Sequence, residues 1–490
     1  MFHDLYMKTV VAYIENHIAE KLHARVLSDV AGYDEDYFRR VFRNAIGVPP
    51  ARYVERRRLS HAALHLRNSL RSVSNIALDF GFASHDSFTR AFRREVGCTP
   101  SEFRASDRVV KGVFITPGCM GPVILSEEDS TMTENMKADG SNVLYGVPKV
   151  SYFNDPAELT PLISSLRACL TYSGQAMPYS RLLSGSGAAF RLIWNENEWD
   201  GGNVDILVMR DDPFEPVRRA FRTAGRSYAM IGKQDEPGNR DAMIDLIKTE
   251  IDAGRPVIAF GIIGPPEACV LTGYRENGEV LLGWNFFQDF PEWQGGLAFE
   301  PCGYFIRRGW YEHSETLGVM AVGAQGQEPD ERAFLKDVLT FAAEVMQPGT
   351  VRRRASGGAA FDAWKRALLD EGNFPNGAQL PLLMERLMCQ GDAFTMISEG
   401  RGYAGMFLAD EAEKFPDLKC ELLDIASTFK KEHETAWDMN SYTGGMGMGE
   451  NNARELAVRK NRERIADLID RCKALDAQAI DKILALLGKI

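Results

Sequence analysis

The chain has 490 residues, of which 45% are hydrophobic, and its formal net charge is −11. This composition excludes an intrinsically disordered chain, and no apolar run reaches the ~18 residues that a membrane-spanning helix needs. The opening MFHDLYMKTV lacks the apolar core of a secretion signal, and the eight cysteines are scattered, so we expect reduced thiols, a cytoplasmic protein and no membrane contact.

Charge is distributed unevenly along the chain. Residues 1–108 hold 17 Lys and Arg against 13 Asp and Glu, a net charge of +4, so the remaining residues carry −15. A basic first fifth followed by an acidic remainder is typical of a nucleic-acid-binding module joined to other domains.

A segment of about 50 residues occurs twice near the start of the chain. GYDEDYFRRVFRNAIGVPP, from Gly32, matches DFGFASHDSFTRAFRREVGCTP, from Asp79. Phe38 and Phe42 align with Phe88 and Phe92 at an offset of 50. Each copy has a short apolar helix, a glycine turn and a second amphipathic helix, which predicts a helix-turn-helix unit. The intervening stretch 51–69 reads as one connecting helix.

The outward-facing side chains of the second helices are candidates for contacting DNA. Arginine can donate to guanine edges, whereas arginines at the margins suit phosphates. The predicted base-reading positions are Asp36, Arg39, Arg40, His85, Asp86, Thr89 and Arg90. The predicted phosphate-contacting positions are Arg43, Arg56, Arg57, Arg58, Arg93 and Arg94.

Residues 1–105 resemble the DNA-binding domain of AraC-type transcriptional regulators. The resemblance rests on VAGYDEDYFRRVFRNAIGVPPARYVERRRL and on IALDFGFASHDSFTRAFRREVGCTPSEFR, which ends in that family's Gly-x-x-Pro-x-x-Phe-Arg signature. It implies an all-α double helix-turn-helix domain over 1–108 that places two helices in adjacent major grooves of double-stranded DNA. Two departures are the acidic Asp36 and Asp86, which leave the target sequence open, and the N-terminal position of the domain.

A polar, acidic stretch over 109–145 is predicted to be a linker, and residues 146–325 are predicted to form an α+β domain. ELTPLISSLRACLTYSG and RDAMIDLIKTEIDAG read as helices that end at glycine. VDILVM, PVIAFGI, ACVLTGYRENGEVLLGW and CGYFIRRGW read as strands, with Asn-Gly in RENGE marking a hairpin.

The middle domain resembles papain-like folds, in particular bacteriocin-processing peptidases and the butirosin-biosynthesis acyltransferase type. A thiol nucleophile in such enzymes needs a nearby histidine base. Glu267 stands where that histidine is expected, Asn285 occupies the following Asp/Asn position, and neither Cys169 nor Cys269 has an obvious histidine partner. We therefore predict a degenerate fold without catalytic residues, not an enzyme.

Aromatic and acidic residues concentrate in this domain. Aromatic faces beside carboxylates suit a cationic or amphipathic small molecule. The predicted ligand-binding residues are Trp194, Trp199, Glu267, Trp284, Asn285 and Phe287. The sequence contains no phosphate-binding loop motif and no metal-ligand spacing, so we predict neither a cofactor nor a metal.

Residues 330–490 read as an all-α domain. EGRGYAGMFLADEA is predicted to form a corner between two helices, and Asp476 is predicted to cap a separate last helix. In the final segment, apolar residues at steps of three and four, from Ile465 to Ala479, predict either a seam within the domain or a dimer contact.

These features together predict a transcription regulator that binds DNA under the control of a small molecule. A homodimer is expected, and RNA polymerase is a further candidate partner. One alternative is a regulator whose papain-like domain is an active cysteine hydrolase or acyltransferase. Another is a regulator controlled by a protein partner.

Overall fold

A computed structural model represents the protein. It describes the following residues: 10, 13–14, 18, 22–31, 33–46, 49–68, 72–82, 84–96, 98–105, 140–152, 157–200, 204–290, 293–295, 297–300, 302–326, 330–445 and 449–490. The predicted linker over 109–145 therefore lies, up to residue 139, outside the described residues.

The DNA-binding region, residues 22–105, contains six described helices. They are α1 (Ala24–Ala31), α2 (Glu35–Ile46), α3 (Pro50–Asn68), α4 (Val73–Asp79), α5 (His85–Val96) and α6 (Pro100–Ala105). Ser72 caps α4 by accepting a hydrogen bond from the backbone of Asn75, and Ser84 does the same for Ser87 at the start of α5. The predicted connecting helix is confirmed as α3, whose 19 residues span about 28 Å.

The two repeats build the same aromatic core. In the first copy, ring centroids lie 5.4 Å apart between Phe38 and Phe42, and 5.6 Å apart between Phe42 and Tyr53. In the second copy, the ring centroids of Phe88 and Phe92 lie 5.4 Å apart, and those of Phe92 and Phe103 also lie 5.4 Å apart. All six rings are buried in one hydrophobic cluster. The predicted duplication is thus confirmed at the level of packing.

By its internal contacts the chain divides into two compact units. Unit 1 comprises 1–149, 232–266 and 270–319, and unit 2 comprises 150–231, 267–269 and 320–490. The predicted middle domain contributes segments to both units, and its boundaries stay a prediction.

Outside the DNA-binding region, unit 1 holds one helix and a sheet. Its strands pair in the order β4-β5-β6-β8-β7, and β1 adds antiparallel to β5. Between β6 and β8 the register places Val280 opposite Arg308 and Gly283 opposite Phe305. The β5–β6 connection bends at Asn277, whose φ of 57° is left-handed, as the RENGE turn predicts. The elements are β1 (Asn142–Val143), α10 (Asn239–Asp252), β4 (Val257–Phe260), β5 (Ala268–Arg275), β6 (Val280–Asn285), β7 (Ala298–Phe299) and β8 (Phe305–Arg308).

Unit 2 is mainly helical and also contains strands. β3 pairs with β9, and β2 pairs with the β10–β11 hairpin. The elements before residue 330 are α7 (Pro161–Tyr172), α8 (Tyr179–Ser186), β2 (Ile193–Trp194), α9 (Glu215–Thr223), β3 (Arg226–Gly232) and β9 (Gly318–Gln325). Those that follow are α11 (Glu331–Met346), β10 (Gly349–Val351), β11 (Arg354–Ser356), α12 (Gly358–Leu369), α13 (Leu380–Lys414), α14 (Lys419–Trp437), α15 (Glu450–Ala457) and α16 (Arg459–Leu487).

Two sequence predictions about secondary structure are wrong. VDILVM does not form a strand, because Asp205 caps a 3-10 turn over Ile206–Val208. The 330–490 segment is not all-α, because the β10–β11 hairpin interrupts it. The two residues of that turn, Arg352 and Arg353, have φ values of 48° and 65°. The hairpin turn lacks the Asn or Gly that usually occupies such a position, so the sequence pattern did not predict it.

Two predictions about helix ends are also wrong. The expected corner around Gly400 lies in the middle of α13, a continuous helix of 35 residues. Its glycines permit close packing: a Cβ on Gly400 would lie 2.5 Å from the carbonyl oxygen of Ala189. Asp476 does not cap a helix but lies inside α16 with its side chain buried.

Asp476 lies inside unit 2 because it pairs with Arg401 of α13. The guanidinium donates to both carboxylate oxygens, at 2.9 and 2.8 Å, and to the carbonyl oxygen of Ala189 at 2.8 Å. Glu432 of α14 lies 3.6 Å from the same guanidinium. Burial, and then the charge of Asp476, raise the pKa of Glu432 well above its ordinary value. One buried arginine therefore faces two carboxyl groups, and burial disfavours the ionised form of Glu432.

Candidate functional site

Helix α2 presents its predicted reading arginines to solvent. Arg39, Arg40 and Arg43 are all exposed. Arg39 is bound by Glu35 one turn earlier, at 2.5 Å, and the Arg40 guanidinium lies 5.3 Å from the ring centre of Tyr37. Asp36 lies on this helix, but its side chain is outside the described part of the chain. The first reading surface is therefore basic, with two arginines held by their own helix.

A groove of about 1310 Å³ lies beside these arginines. Arg39, Arg40 and Arg43 line it from α2, and Arg25 lines it from the start of α1. Asp29, Glu35 and His23 are also in its lining. Four arginines around one concave surface suit a polyanion. Arg25 was not predicted to face DNA, because nothing in the sequence pattern of α1 indicates which way its side chain points.

Helix α5 presents the second reading surface. His85, Asp86, Arg90 and Arg93 are exposed. The Nδ1 atom of His85 lies 3.6 Å from a carboxylate oxygen of Asp86. Thr89 is half-buried, and its hydroxyl is enclosed without a hydrogen-bond partner among the described residues. The basic side chains of α5 are therefore more accessible than its threonine.

Of the arginines predicted to contact phosphates, Arg57 and Arg58 turn toward the protein, whereas Arg94 stays exposed and pairs with Glu55. Arg57 is only 2% exposed. Arg58 donates to the carbonyl oxygen of Ile18 at 2.9 Å, and Arg94 donates to Glu55 at 2.8 Å. A run of three arginines on one helix cannot all face the same way, and the sequence did not indicate which of them turns inward.

In unit 2, the predicted ligand residues Trp194 and Trp199 lie in the hydrophobic core. Their ring centroids are 5.1 Å apart, and Trp194 also stacks 6.2 Å from Trp364. The guanidinium of Arg386 lies 4.8 Å from the Trp199 ring centre. The cation over this aromatic cluster is therefore supplied by the protein itself.

In unit 1, the polar groups of Trp284 and Asn285 are used by the fold. The Trp284 indole donates to the carbonyl oxygen of Val147 at 2.9 Å, and the Lys149 ammonium lies 5.5 Å from its ring centre. The Asn285 carboxamide accepts from the backbone of Phe287 at 2.8 Å and donates to the carbonyl oxygen of Ile263 at 3.3 Å. Phe287 is half-buried. The Trp284 indole and the Asn285 carboxamide therefore form hydrogen bonds within the fold.

Glu267, in unit 2, lies among other acids. Burial, and then the charges of Asp205 and Asp392, raise the pKa of Glu267 to about 8, against the opposing charge of Arg191. Burial, and then the charge of Asp200, raise the pKa of Asp392 to about 7, and one of its carboxylate oxygens is enclosed without a partner in the described chain. The surroundings disfavour the ionised form of these acids, so a cation bound beside them would stabilise their carboxylates.

A second buried carboxylate beside Arg191 is fully bonded. Glu399 accepts from the hydroxyls of Tyr179 at 2.7 Å and Thr160 at 2.9 Å, and from the backbone of Leu159. Arg191 is 1% exposed and donates to Thr160 at 3.3 Å. No sequence pattern indicated this cluster, because Thr160 and Glu399 lie 239 residues apart along the chain.

The candidate thiol Cys169 is set for packing rather than attack. It is 1% exposed, and burial raises the pKa of its thiol. The protonated form is the weaker nucleophile. His313 is half-buried, and burial lowers its pKa. His433 contacts the carbonyl oxygen of Ser398 through Nδ1 at 2.6 Å.

Within the described ranges, no helix combines the length and apolarity needed to cross a bilayer. In the same part of the chain, no three His, Cys, Asp or Glu side chains are grouped to hold a metal ion.

Comparison with known sequences places the similarity in the DNA-binding region. The family described as "Helix-turn-helix domain" matches residues 27–106. The regulatory protein SoxS of Salmonella typhimurium is 36% identical over 104 residues, which are 21% of this chain and 97% of SoxS. The HTH-type transcriptional activator AarP of Providencia stuartii is 32% identical over 106 residues, 22% of this chain and 78% of AarP.

Solved structures of DNA-binding regulators are similar to about a fifth of the chain. The DNA-binding domain of AdpA, in complex with a target DNA, is 30% identical, covers 20% of this chain and 89% of that one, and has a TM-score of 0.20. An AraC-type regulator from Chromobacterium violaceum is 27% identical, covers 21% and 91%, and has a TM-score of 0.20.

Proposed function

The chain belongs to the AraC family of DNA-binding transcriptional regulators, and from this premise we propose that a small molecule bound by unit 2 controls its hold on DNA. The observation that carries the DNA-binding part is the duplicated aromatic core that exposes arginines on both α2 and α5. Two such helices suit adjacent major grooves of one duplex.

We assign the contacts with DNA to two kinds of side chain. Arginines can bind guanine edges through two hydrogen bonds, and acids can accept from cytosine. Side chains at the margins bind phosphates and fix the register. The proposed DNA-binding residues are Asp36, Arg39, Arg40, Arg43, His85, Asp86, Thr89, Arg90 and Arg93.

The effector is proposed to be a cationic or amphipathic molecule that binds near Glu267. The support is the group of acids Glu267, Asp205 and Asp392, of which Asp392 has an enclosed oxygen without a described partner. An ammonium group there would restore the ionised carboxylates, which burial otherwise disfavours. Trp194 and Trp199, which pack in the hydrophobic core of unit 2, are proposed to support the site from that core.

Control would follow from a shift between two conformations. A ligand changes an equilibrium only by the difference between its affinities for the two states. We propose that the effector binds one arrangement of the protein better, and that this arrangement differs in its affinity for DNA. The sign of regulation follows from which arrangement that is.

We further propose that the protein acts as a homodimer in the cytoplasm, with RNA polymerase as a partner at the promoter. Large apolar side chains remain exposed on α13, α14 and α16 of unit 2, namely Met406, Leu423 and Leu484, which are 56%, 41% and 50% exposed. Analytical ultracentrifugation of the full chain, with and without operator DNA, tests the dimer directly.

The DNA-binding proposal is tested by selecting duplexes from a random pool with the full chain. Binding is then measured by fluorescence anisotropy at several salt concentrations. We expect enrichment of one sequence with two half-sites, and a steep fall in affinity with salt because phosphates are contacted. Equal binding to all duplexes would refute sequence-specific recognition.

The effector proposal is tested by the melting temperature of the full chain in the presence of amines, neutral metabolites and organic anions. A ligand at 100 times its Kd should stabilise the protein by about 2.7 kcal/mol. We expect hits among amines only, and none for Glu267→Gln. Hits that are indifferent to charge would refute the cationic site.

A further inference from the structure

Arg58, near the middle of the connecting helix α3, contacts the segment that packs with the first helix-turn-helix unit and the turn of the second unit. Its Nε atom donates to the carbonyl oxygen of Ile18 at 2.9 Å, 40 residues earlier in the chain. Its Nη1 atom lies 3.5 Å from the carbonyl oxygen of Gly81, 23 residues later. Ile18 is part of the core before α1, and Gly81 forms the turn between α4 and α5. One planar guanidinium thus joins a carbonyl on each side of the repeat.

The turn at Gly81 leaves room for this guanidinium. Gly81 has a φ of 72°, which side-chain-bearing residues rarely adopt. A Cβ at this position would lie 3.1 Å from the Cζ atom of Arg58, which is tighter than ordinary packing. Burial lowers the pKa of Arg58, as expected of a guanidinium drawn in from solvent. The glycine therefore both makes the turn and admits the arginine.

A second contact from α3 reaches the reading helix itself. Glu55, one turn before Arg58, accepts from Arg52 of its own helix at 2.7 Å and from Arg94 of α5 at 2.8 Å. Arg94 lies in the last turn of α5. Together, Arg58 and Glu55 connect α3 to the turn that precedes α5 and to the end of α5.

We propose that Arg58, assisted by Glu55, is a positioning residue that sets the separation and angle of α2 and α5, and so selects operators with one spacing between half-sites. The inference rests on the proposed reading of DNA by both helices. One base pair added between half-sites moves the second by ~3.4 Å and turns it by ~35°. If α2 and α5 are held rigidly, they cannot both reach half-sites that have been moved apart. If their relative position can change, they can.

The experiment uses the full chain and the duplex it selects from a random pool. Affinity is measured for that duplex, for versions with one base pair inserted or removed between the half-sites, and for each half-site alone. Arg58→Lys is the main variant, because it keeps the positive charge but loses the planar fork that reaches two carbonyls. Wild type is expected to lose about a hundredfold on insertion, the effect of two or more mismatched base pairs.

For Arg58→Lys, affinity for the unaltered duplex is expected to fall about tenfold, and the insertion penalty is expected to shrink below about tenfold. Affinity for single half-sites and the salt dependence should stay as in wild type, because the charge is retained. Glu55→Gln should shrink the penalty less, and it keeps the proposal testable if Arg58→Lys impairs folding, because Glu55 is one-third exposed.

Three outcomes overturn the proposal. An insertion penalty that both variants leave unchanged removes the positioning role. An equal loss on every duplex, with a shallower salt slope, makes Arg58 a phosphate contact. A wild-type protein that selects no duplex refutes the proposed function, and the inference falls with it; this outcome is told apart because it is seen before any variant is made.

Discussion

The DNA-binding region and unit 2 use charged residues in opposite ways. In the DNA-binding region, the arginines of α2 and α5 stand exposed on a buried aromatic core. In unit 2, Arg401 has a fully buried guanidinium, with Asp476 and Glu432 around it. Exposed charge is available to a polyanion, whereas buried charge holds helices together. The same residue type therefore indicates a ligand in one region and architecture in the other.

The largest expected effect is the loss of the buried pair in unit 2. Arg401→Met leaves Asp476 buried without its partner, which should reduce the free energy of unfolding of unit 2 by about 3–5 kcal/mol. All seven tryptophans lie after residue 105, so tryptophan fluorescence during urea unfolding does not report on the DNA-binding region. Arg464→Met, at a side chain 58% exposed, is the matched control and should change little. If Arg401→Met reduces the free energy of unfolding by less than about 1 kcal/mol, the buried charges of unit 2 do not hold its helices together as we expect.

Removing an exposed arginine of α5 should weaken DNA binding without changing the stability of unit 2. Arg90→Ala should weaken binding to the selected duplex by about 10- to 100-fold, because one base contact contributes 1–3 kcal/mol, and should leave the tryptophan unfolding curve unchanged. Arg353→Ala removes the same charge from the exposed hairpin turn of unit 2 and serves as the control. A uniform loss on all duplexes would make Arg90 a phosphate contact instead.

The pH dependence of unit 2 should depend on Glu267. Its pKa is raised to about 8 in the folded protein from the ordinary 4.5. Between these values the folded state binds more protons than the unfolded state, so stability should fall as pH rises from about 4.5 to 8. Glu267→Gln should match wild type near pH 5 and be more stable at pH 8 by on the order of 1 kcal/mol, after allowance for solvent screening. Urea unfolding at both pH values measures this, and Glu413→Gln, 70% exposed, should show no such difference.

The smallest effect is expected from freeing an arginine of α2. Glu35→Gln removes the exposed partner of Arg39, which should raise DNA affinity about twofold, since such pairs contribute 0.2–1 kcal/mol. Anisotropy at low salt detects this change. The gain should vanish in an Arg39→Ala background, and a gain that persists there would show that Glu35 acts on DNA through its own charge.

The sequence predicted best where residues repeat a local pattern. The aromatic spacing of Phe38 and Phe42, repeated in the second copy, specified a helix, a core and an exposed face together. The glycine after α10 and the Asn-Gly turn between β5 and β6 also had local signals, and both are confirmed.

The sequence failed where distant residues decide the structure. Asp476 resembles a helix cap in isolation, and only its partner Arg401, 75 residues away, explains its place inside α16. Arg58 is one of three adjacent arginines, and nothing local distinguishes it from a phosphate ligand. The sequence also could not show that Trp194 packs against both Trp199 and Trp364, the latter about 170 residues further along the chain.

The long-range contacts of Arg401 have a consequence for the order of events during synthesis. Contacts in the DNA-binding region span about 40 residues, as from Arg58 to Ile18. Arg401 must join Ala189, 212 residues before it, and then Asp476, 75 residues after it. At 5–20 residues per second, Asp476 leaves the ribosome roughly 20–70 s after residue 105. During that time, we expect the nascent chain to bind DNA but not to respond to an effector.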